Sequence, residues 1–119
     1  MSAPNLIAAS TITGKTAVAD LTTVTANIIT NSAGSNSVDK LENVILTNYT
    51  SSPVTANVMI NRGSTIYYVC GNASIAANST VIVISKNTSI YLEEGDVLQA
   101  NVSANSSISV TASYELIAT

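Results

Sequence analysis

The strictest pattern in this 119-residue sequence is an alternation of apolar and polar residues near its carboxyl end. Over residues 107–116, every second residue is apolar, and the residues between them are serine, threonine or glutamate. Successive side chains of a β-strand point to opposite faces, so this spacing predicts a strand that buries one face. The predicted inward residues are Ile108, Val110, Ala112, Tyr114 and Leu116.

Similar stretches recur along the chain and are separated by turn residues. The candidate strands cover residues 6–13, 22–30, 43–49, 54–60, 65–70, 81–84, 90–92, 97–104 and 107–116. Short strands with turns between them at such regular spacing are typical of sandwiches and jelly rolls. The sequence therefore predicts an all-β protein, an antiparallel β-sandwich of jelly-roll-like form with about eight strands.

Three local expectations refine this fold. Residues 81–84 are apolar on both faces, which predicts a strand covered on both sides. Gly71 and Asn72 are expected to end the strand that precedes them. Residues 35–41 leave room for one short helical turn.

The chain is expected to form one domain, since its length matches the commonest domain size. Residues 21–119 are predicted to be the β-sandwich. Residues 1–20 are predicted to be an N-terminal arm or first strand that contacts a neighbouring subunit by adding a strand to an exposed sheet edge.

Charge is unusually scarce in this chain. Only 9% of residues are charged and the net charge is −3, whereas about 25% are charged in a typical soluble domain. Four basic residues cannot track a phosphate backbone, so no nucleic-acid partner is expected. Serine, threonine and asparagine fill 45 positions. Such a surface costs little to desolvate, which favours packing against copies of itself or other proteins.

The sequence has no histidine and a single cysteine. Histidine is the commonest general base and metal ligand, so we predict no enzyme, no catalytic residue, no cofactor and no metal site. Cys70 has no partner for an internal disulfide and is predicted to pack as a small hydrophobe. No stretch approaches the ~18 apolar residues of a membrane span, and no secretory signal is recognised, so no membrane partner is expected.

An acidic turn at residues 92–96 holds three of the seven carboxylates. One interpretation is a calcium site, but the alternating ligand spacing of a calcium loop is absent. The favoured interpretation is a hairpin-type connection in which Gly95 adopts a positive φ and the carboxylates lie on a solvated edge. The basic residues are expected in solvated turns. They are Lys15, Lys40, Arg62 and Lys86.

Four residues are candidate interface residues. Tyr67 and Tyr68 are adjacent, so in a strand they face opposite ways, and one of them is available as an outward aromatic anchor. Packing at an edge or in the core is the alternative for this pair. Leu6 and Ile7 are the large aliphatic residues of the predicted arm.

Six asparagines begin N-x-S/T triplets, the acceptor pattern of N-glycosylation. The abundance of asparagine, serine and threonine favours coincidence over a secreted glycoprotein. The six are Asn48, Asn72, Asn78, Asn87, Asn101 and Asn105.

Four segments in order resemble small virion structural proteins of tailed bacteriophages, especially marine and cyanobacterial phages. They are residues 28–35 (IITNSAGS), 44–48 (VILTN), 75–81 (IAANSTV) and 90–98 (IYLEEGDVL). The resemblance spans residues 21–116, about four-fifths of the chain.

The resemblance implies a non-enzymatic β-sandwich located in the virion, whose partners are other virion proteins and copies of itself. The expected role is capsid decoration, with the major capsid protein as partner. The alternative role is a neck, tail or fibre component. A third possibility, from another class, is a carbohydrate-binding module, although aromatic residues make up only 4% of the chain.

Overall fold

The computed structural model describes residues 8–119. Nine strands run through this part of the chain, together with a short 3-10 helix, Lys86–Thr88. The strands are β1 Thr11–Asp20, β2 Ala26–Thr30, β3 Ser37–Asn48, β4 Val54–Arg62, β5 Thr65–Ile75, β6 Thr80–Ile84, β7 Ile90–Leu92, β8 Val97–Val102 and β9 Ile108–Ala118. Among residues 8–119, no helix has the length and apolar character to cross a membrane.

The strands form two antiparallel sheets. Sheet A has the order β1-β9-β3-β6, with β7 also paired to β3, and sheet B has the order β2-β8-β4-β5. The first strand pairs with the last, the second with the last but one, β3 with both β6 and β7, and β4 with β5. A long hairpin folded over into two sheets gives this order, which is that of a jelly roll. The predicted jelly-roll-like β-sandwich is confirmed, with β6 and β7 sharing one strand position.

The core lies between the two sheets and is built from the alternating positions. Of the five residues of β9 predicted to face inward, Ile108, Val110 and Ala112 are buried, whereas Tyr114 and Leu116 are only half-buried. Their neighbours on β3 include Val44 and Leu46, and burying each large aliphatic side chain contributes about 1.5–3 kcal/mol. The buried cluster comprises Leu21, Ile29, Leu41, Val44, Leu46, Val54, Ala56, Val58, Ile75, Ile84, Leu92, Leu98, Ala100, Val102, Ile108, Val110 and Ala112.

A bulge in β3 shifts the inward-facing positions of this strand from odd to even residue numbers. The register with β9 shifts between Leu41 and Asn43. This extra residue changes which positions face inward, so Asp39 and Leu41 lie on the core side before the bulge and Val44 lies there after it. A two-residue period carries the same side chains to one face only while the register is unbroken.

Three local expectations are wrong. Residues 35–41 form no helical turn, because β3 begins at Ser37 and pairs with β9 from its first residue. Gly71 and Asn72 do not end their strand. Instead, β5 absorbs register shifts before and after Cys70, and Asn72 adopts a φ of 51°.

The third local expectation, that residues 81–84 form a strand covered on both faces, is wrong as well. Strand β6 is a sheet edge, and its Ile82 is 62% exposed. A short apolar run therefore marks an edge here and not a strand covered on both faces. The strand predicted at residues 6–13 falls partly outside the described residues, and the structure instead places β1 at Thr11–Asp20.

Candidate functional site

Tyr67 and Tyr68 both lie exposed on the edge strand β5. Tyr67 is 57% exposed and Tyr68 is 65% exposed. In register, Tyr67 stands opposite Ile60 and Tyr68 stands opposite Met59, so the two rings are directed to opposite faces of sheet B, as predicted. Neither fills the core, because a side chain at a sheet edge has neighbours on one side only.

Tyr67 lines a groove at the flank where the edges of the two sheets meet. The groove has a volume of about 250 Å³. Its walls come from β4, β5 and β7 and consist of Ile60, Arg62, Tyr67, Ile90 and Tyr91. Two tyrosine rings and two isoleucines give an apolar lining with phenolic groups at hand, a surface that suits a side chain or ring from a partner.

The outer face of sheet B carries a row of hydrogen-bonded polar side chains, which we call the amide row. Asn101 Nδ2 donates to Thr25 Oγ1 at 2.9 Å, and Asn57 Nδ2 donates to Asn101 Oδ1 at 3.0 Å. The backbone N–H of Asn72 then donates to Asn57 Oδ1 at 2.7 Å. The row thus connects Thr25, which immediately precedes β2, to β8, β4 and β5. It fixes uncharged polar groups in place across sheet B.

Tyr68 lies beside one end of the amide row. A depression of about 380 Å³ at this point is lined by Asn57, Tyr68, Gly71 and Asn72. Gly71 has no side chain, and the nearest atoms to a Cβ placed there belong to Tyr68 at 3.9 Å. The ring therefore stands over exposed backbone and amide groups, a combination found at protein interfaces.

The acidic turn at residues 92–96 connects β7 to β8, and two of its three carboxylates are buried, contrary to the predicted solvated edge. Gly95 adopts a φ of +89°, which agrees with the predicted turn. However, Asp96 is completely buried and Glu94 is only 8% exposed. The expectation of a solvated edge is wrong because each carboxylate has a specific donor.

Arg62 supplies the donors for Asp96. The β4–β8 register, continued one position beyond Asn61 and Val97, places Arg62 opposite Asp96. Its Nε donates to Asp96 Oδ1 at 2.8 Å and its Nη2 donates to Asp96 Oδ2 at 2.5 Å and to Glu93 Oε2 at 3.1 Å. The hydrogen bonds to Asp96, followed by the charges of both acids, raise the pKa of Arg62 above its usual range. Arg62 is thus a structural ion-pair partner and not a solvated turn residue.

A second polar cluster fixes the β2–β3 loop against this turn. Asn31 is 3% exposed, and its Nδ2 donates to the carbonyl oxygens of Ser37 and Leu92 at 3.0 and 2.9 Å. The N–H of Gly34 donates to Glu94 Oε1 at 2.9 Å. The Leu92 carbonyl and the Glu94 carboxylate of the acidic turn therefore accept hydrogen bonds from the β2–β3 loop.

Asp39 is a buried carboxyl group on the core side of β3. It is 2% exposed, and its Oδ1 has no hydrogen-bond partner among the described residues. Burial raises its pKa from 3.8 to about 6, against the opposing attraction of Lys15. Burial likewise raises the pKa of Tyr114, with a further contribution from the charge of Asp39. This group is expensive to ionise in the folded protein.

Cys70 and Asn48 have structural roles. Cys70 packs against the core, as predicted, and burial raises the pKa of its thiol, which disfavours the nucleophilic thiolate. Asn48, which begins the first N-x-S/T triplet, is completely buried, and its Nδ2 donates to the carbonyl oxygens of Ser52 and Ile75. Its amide is therefore inaccessible to a modifying enzyme in the folded protein.

Leu6 and Ile7 lie outside the described residues. Within residues 8–119, no group of three or more cysteine, aspartate or glutamate side chains is placed to hold a metal ion. No sequence signal marks the amide row, because its members are distant in sequence and only the strand register brings them together. None marks Tyr91 as a second ring of the groove either.

No protein-family model matches the chain, and no curated protein sequence matches it. One similar solved structure is a chain from infectious bursal disease virus, Gx strain, with a TM-score of 0.51 and 12% identity. The match covers 91% of this chain and 32% of the viral chain. This chain therefore spans about a third of the viral protein, and at so low an identity the similarity shows the β-sandwich fold alone.

A second solved structure comes from Bacillus endospore appendages, described as a novel family of disulfide-linked pili. It has a TM-score of 0.46 and 16% identity, and the match covers 92% of this chain and 88% of that chain. Similarity at this level supports no inference about function.

Proposed function

We propose that this protein is a non-enzymatic structural protein of a virion. In the specific form of the proposal, it decorates the head of a tailed bacteriophage of the marine or cyanobacterial type. Its partners are the major capsid protein and copies of itself. The sequence resemblance over residues 21–116 supports this role, and a jelly-roll fold is compatible with it.

The observation that carries the proposal is the chemistry of the outer faces. The amide row on sheet B is matched on part of the outer face of sheet A by hydroxyl pairs between strands, Thr16 with Ser113 at 3.5 Å and Thr47 with Thr80 at 3.3 Å. These short uncharged groups are already ordered by one another. Pressing such a face against a neighbour costs less desolvation than pressing a lysine- or glutamate-rich face would.

Decoration would stabilise the head by mass action. A protein that binds only the assembled shell shifts the equilibrium towards that shell. The proposed contacts are strand pairing at sheet edges together with apolar contact through Tyr67 and Tyr68, and Leu6 and Ile7 contribute from the N-terminal arm. With few charges at the surface, release from the particle should depend weakly on ionic strength.

The test is to purify phage particles whose genome encodes this chain and to count its copies by quantitative mass spectrometry. Copies in the hundreds per particle are expected for decoration. Tens of copies or fewer would replace decoration by the neck, tail or fibre role. Absence from the particle would overturn the virion assignment, and steep salt-induced release would overturn the proposed mode of binding.

The groove between β5 and β7 favours carbohydrate binding as a second candidate. Tyr67 and Tyr91 both line it, and they are 57% and 40% exposed. In such a site, sugar rings would stack on the rings of Tyr67 and Tyr91, the two aromatic residues of the groove. A glycan array with the unmodified protein and with Tyr67→Ala separates the candidates, because decoration predicts no glycan signal in either protein.

A further inference from the structure

The two sheets have four edge positions, and three of them are poorly suited to pairing with another strand. Strand β2 has five residues and a register shift between Asn27 and Ile29. Strand β5 has register shifts on both sides of Cys70. The fourth position of sheet A is split between β6, of five residues, and β7, of three. Short, bulged or interrupted edges of this kind discourage association.

Strand β1 is the exception. It runs for ten residues from Thr11 to Asp20 and pairs with β9 at every position without a register shift. It contains no proline, and its only charged residues are Lys15 and Asp20. Among residues 8–119, no strand pairs with its other side. A long, regular and sparsely charged edge is the kind to which a further strand is added.

The hydrogen-bond pattern shows which residues of β1 present free backbone groups. The N–H of Leu21 donates to the carbonyl oxygen of Ile108 at 2.9 Å, in the same register as β1 and β9. Antiparallel pairs alternate between bonded and non-bonded positions, so odd-numbered residues of β1 bond to β9. The even-numbered residues, which include Thr16, direct their N–H and C=O groups to the free edge.

The side chains of this edge offer little obstruction. Ile12 and Val18 are 65% and 71% exposed on its outer face. Lys15 is the only basic residue of β1. It stands opposite Tyr114 on the inward face, where the charge of Asp39 attracts it. Its side chain therefore lies on the opposite face of β1 from Ile12 and Val18.

We propose that β1 pairs antiparallel with β1 of a second copy of this chain, so that sheet A continues across a two-fold axis. This rests on the proposed function, since it names the self-contact of a structural protein. A second copy is the favoured occupant because β1 itself is the described strand that matches the edge in length and regularity. A two-fold contact also needs only one surface.

The size of the edge suits a stable dimer. Five residues on each strand contribute N–H and C=O groups, which gives about ten main-chain hydrogen bonds, the usual number for a specific interface. The molecule measures 48 × 26 × 20 Å. A strand of ten residues is about 34 Å long, so the paired edge is comparable in length with the molecule itself.

The experiment compares two threonine-to-proline variants by sedimentation equilibrium. Thr16→Pro removes an N–H from the free edge of β1 and leaves the bonds to β9 in place. Thr80→Pro is the matched control on the opposite edge of sheet A. Asn48 N–H donates to the Ser79 carbonyl, so in the β3–β6 register the N–H of Thr80 also points away from its neighbour. Each threonine also has one cross-strand hydroxyl partner.

The full chain and Thr80→Pro are expected to be dimers, and Thr16→Pro is expected to dimerise at least tenfold more weakly. Circular dichroism checks that each variant is folded, and Val18→Lys tests the same edge without changing the backbone. If Thr16→Pro and Val18→Lys both dimerise as the full chain does, the proposal is overturned. Equal weakening in Thr80→Pro would also overturn it.

Two further outcomes separate this proposal from the proposed function. A full chain that is monomeric at about 100 µM, well above the Kd of ordinary specific complexes, but is found in the particle overturns only the β1 contact. If deletion of residues 1–7 converts a monomer into a dimer, the occupant of the edge is that segment, and the second-copy proposal is overturned. Absence from the particle with dimerisation intact overturns only the virion role.

Discussion

The buried carboxyl group of Asp39 should make the stability of this protein fall as the pH rises from about 4 to about 6. Asp39 is 2% exposed, one of its oxygens has no partner among the described residues, and burial raises its pKa from 3.8 to about 6. The folded protein therefore holds the proton more tightly than the unfolded chain does. Two groups face the carboxyl, namely Lys15 from β1 and Tyr114 from β9.

The sign and size of the effect follow from linkage. Below pH 3.8 both states carry the proton, and no penalty arises. Between 3.8 and 6 the unfolded chain binds fewer protons than the folded protein, so the free energy of unfolding decreases with pH. A factor of ten in proton affinity is worth about 1.4 kcal/mol, so ionised Asp39 destabilises the fold above pH 6 by about 3 kcal/mol.

The measurement is urea unfolding followed by circular dichroism between about pH 3.5 and pH 7.5, for the unmodified protein and for Asp39→Asn. Other carboxylates titrate in both proteins and cancel in the difference. The amide introduced by the substitution does not titrate, so any cost of its unpaired polar atom is the same at every pH and also cancels. The difference in free energy of unfolding should shift in favour of the variant by about 3 kcal/mol as the pH rises.

A difference that stays within about 1 kcal/mol across this range, or that changes in the opposite direction, would refute the reasoning. Lys15→Met provides a directional control. Because Lys15 favours the charged form of Asp39, its removal should move the midpoint of the pH dependence to higher pH.

Three other substitutions, one of them with a control variant, test the polar contacts and the turn. Arg62→Met should destabilise the protein by about 3–5 kcal/mol in chemical denaturation, because it leaves buried Asp96 without its cation, and a loss under about 1 kcal/mol would contradict the ion-pair role. Gly95→Ala should lower the free energy of unfolding by about 1–2 kcal/mol, because φ is +89° there. Gly14→Ala is the control: a Cβ at this strand position meets no atom within 4 Å, so the melting temperature should stay equal or rise. Asn48→Ala should lower the free energy of unfolding by about 1–3 kcal/mol, because the buried carbonyl oxygen of Ile75 and the part-buried one of Ser52 lose their donor. An unchanged denaturation midpoint would show that water replaces the amide.

The fold class is predictable from the sequence, because the alternation of apolar and polar residues is a local property of each strand that buries one face. β9 illustrates this point, since three of its five predicted inward residues, at 108, 110 and 112, are buried. The alternation fails where β3 bulges between Leu41 and Asn43. A bulge depends on the partner strand, so a single sequence carries no reliable sign of it.

The burial of a residue depends on which strand lies alongside its own, and a single sequence does not show the strand order. Residues 81–84 look like a central strand by composition, yet β6 is an edge and Ile82 is exposed. Conversely, Asp39 looks like a surface residue and is buried. Strand order decides both cases, and composition does not encode it.

The candidate site was predictable only in part, for the same reason. The opposite directions of Tyr67 and Tyr68 follow from the strand period alone. The pairing of Arg62 with Asp96 joins residues 34 positions apart, and it exists because β4 lies beside β8. Gly95 predicts the acidic turn, but the role of the turn as an ion-pair partner depends on the tertiary structure.

The strand order also has a consequence for how the molecule is made. Strand β9 lies in the middle of sheet A, between β1 and β3, yet the ribosome synthesises it after the other eight strands. Until it emerges, β1 lacks its neighbour in that sheet, and β3 has only β6 and β7. Pairings between segments so distant in sequence form slowly, and strands that are still unpaired are prone to aggregate with other chains. A nascent chain halted before Ile108 should therefore depend on chaperones far more than a chain that already includes β9.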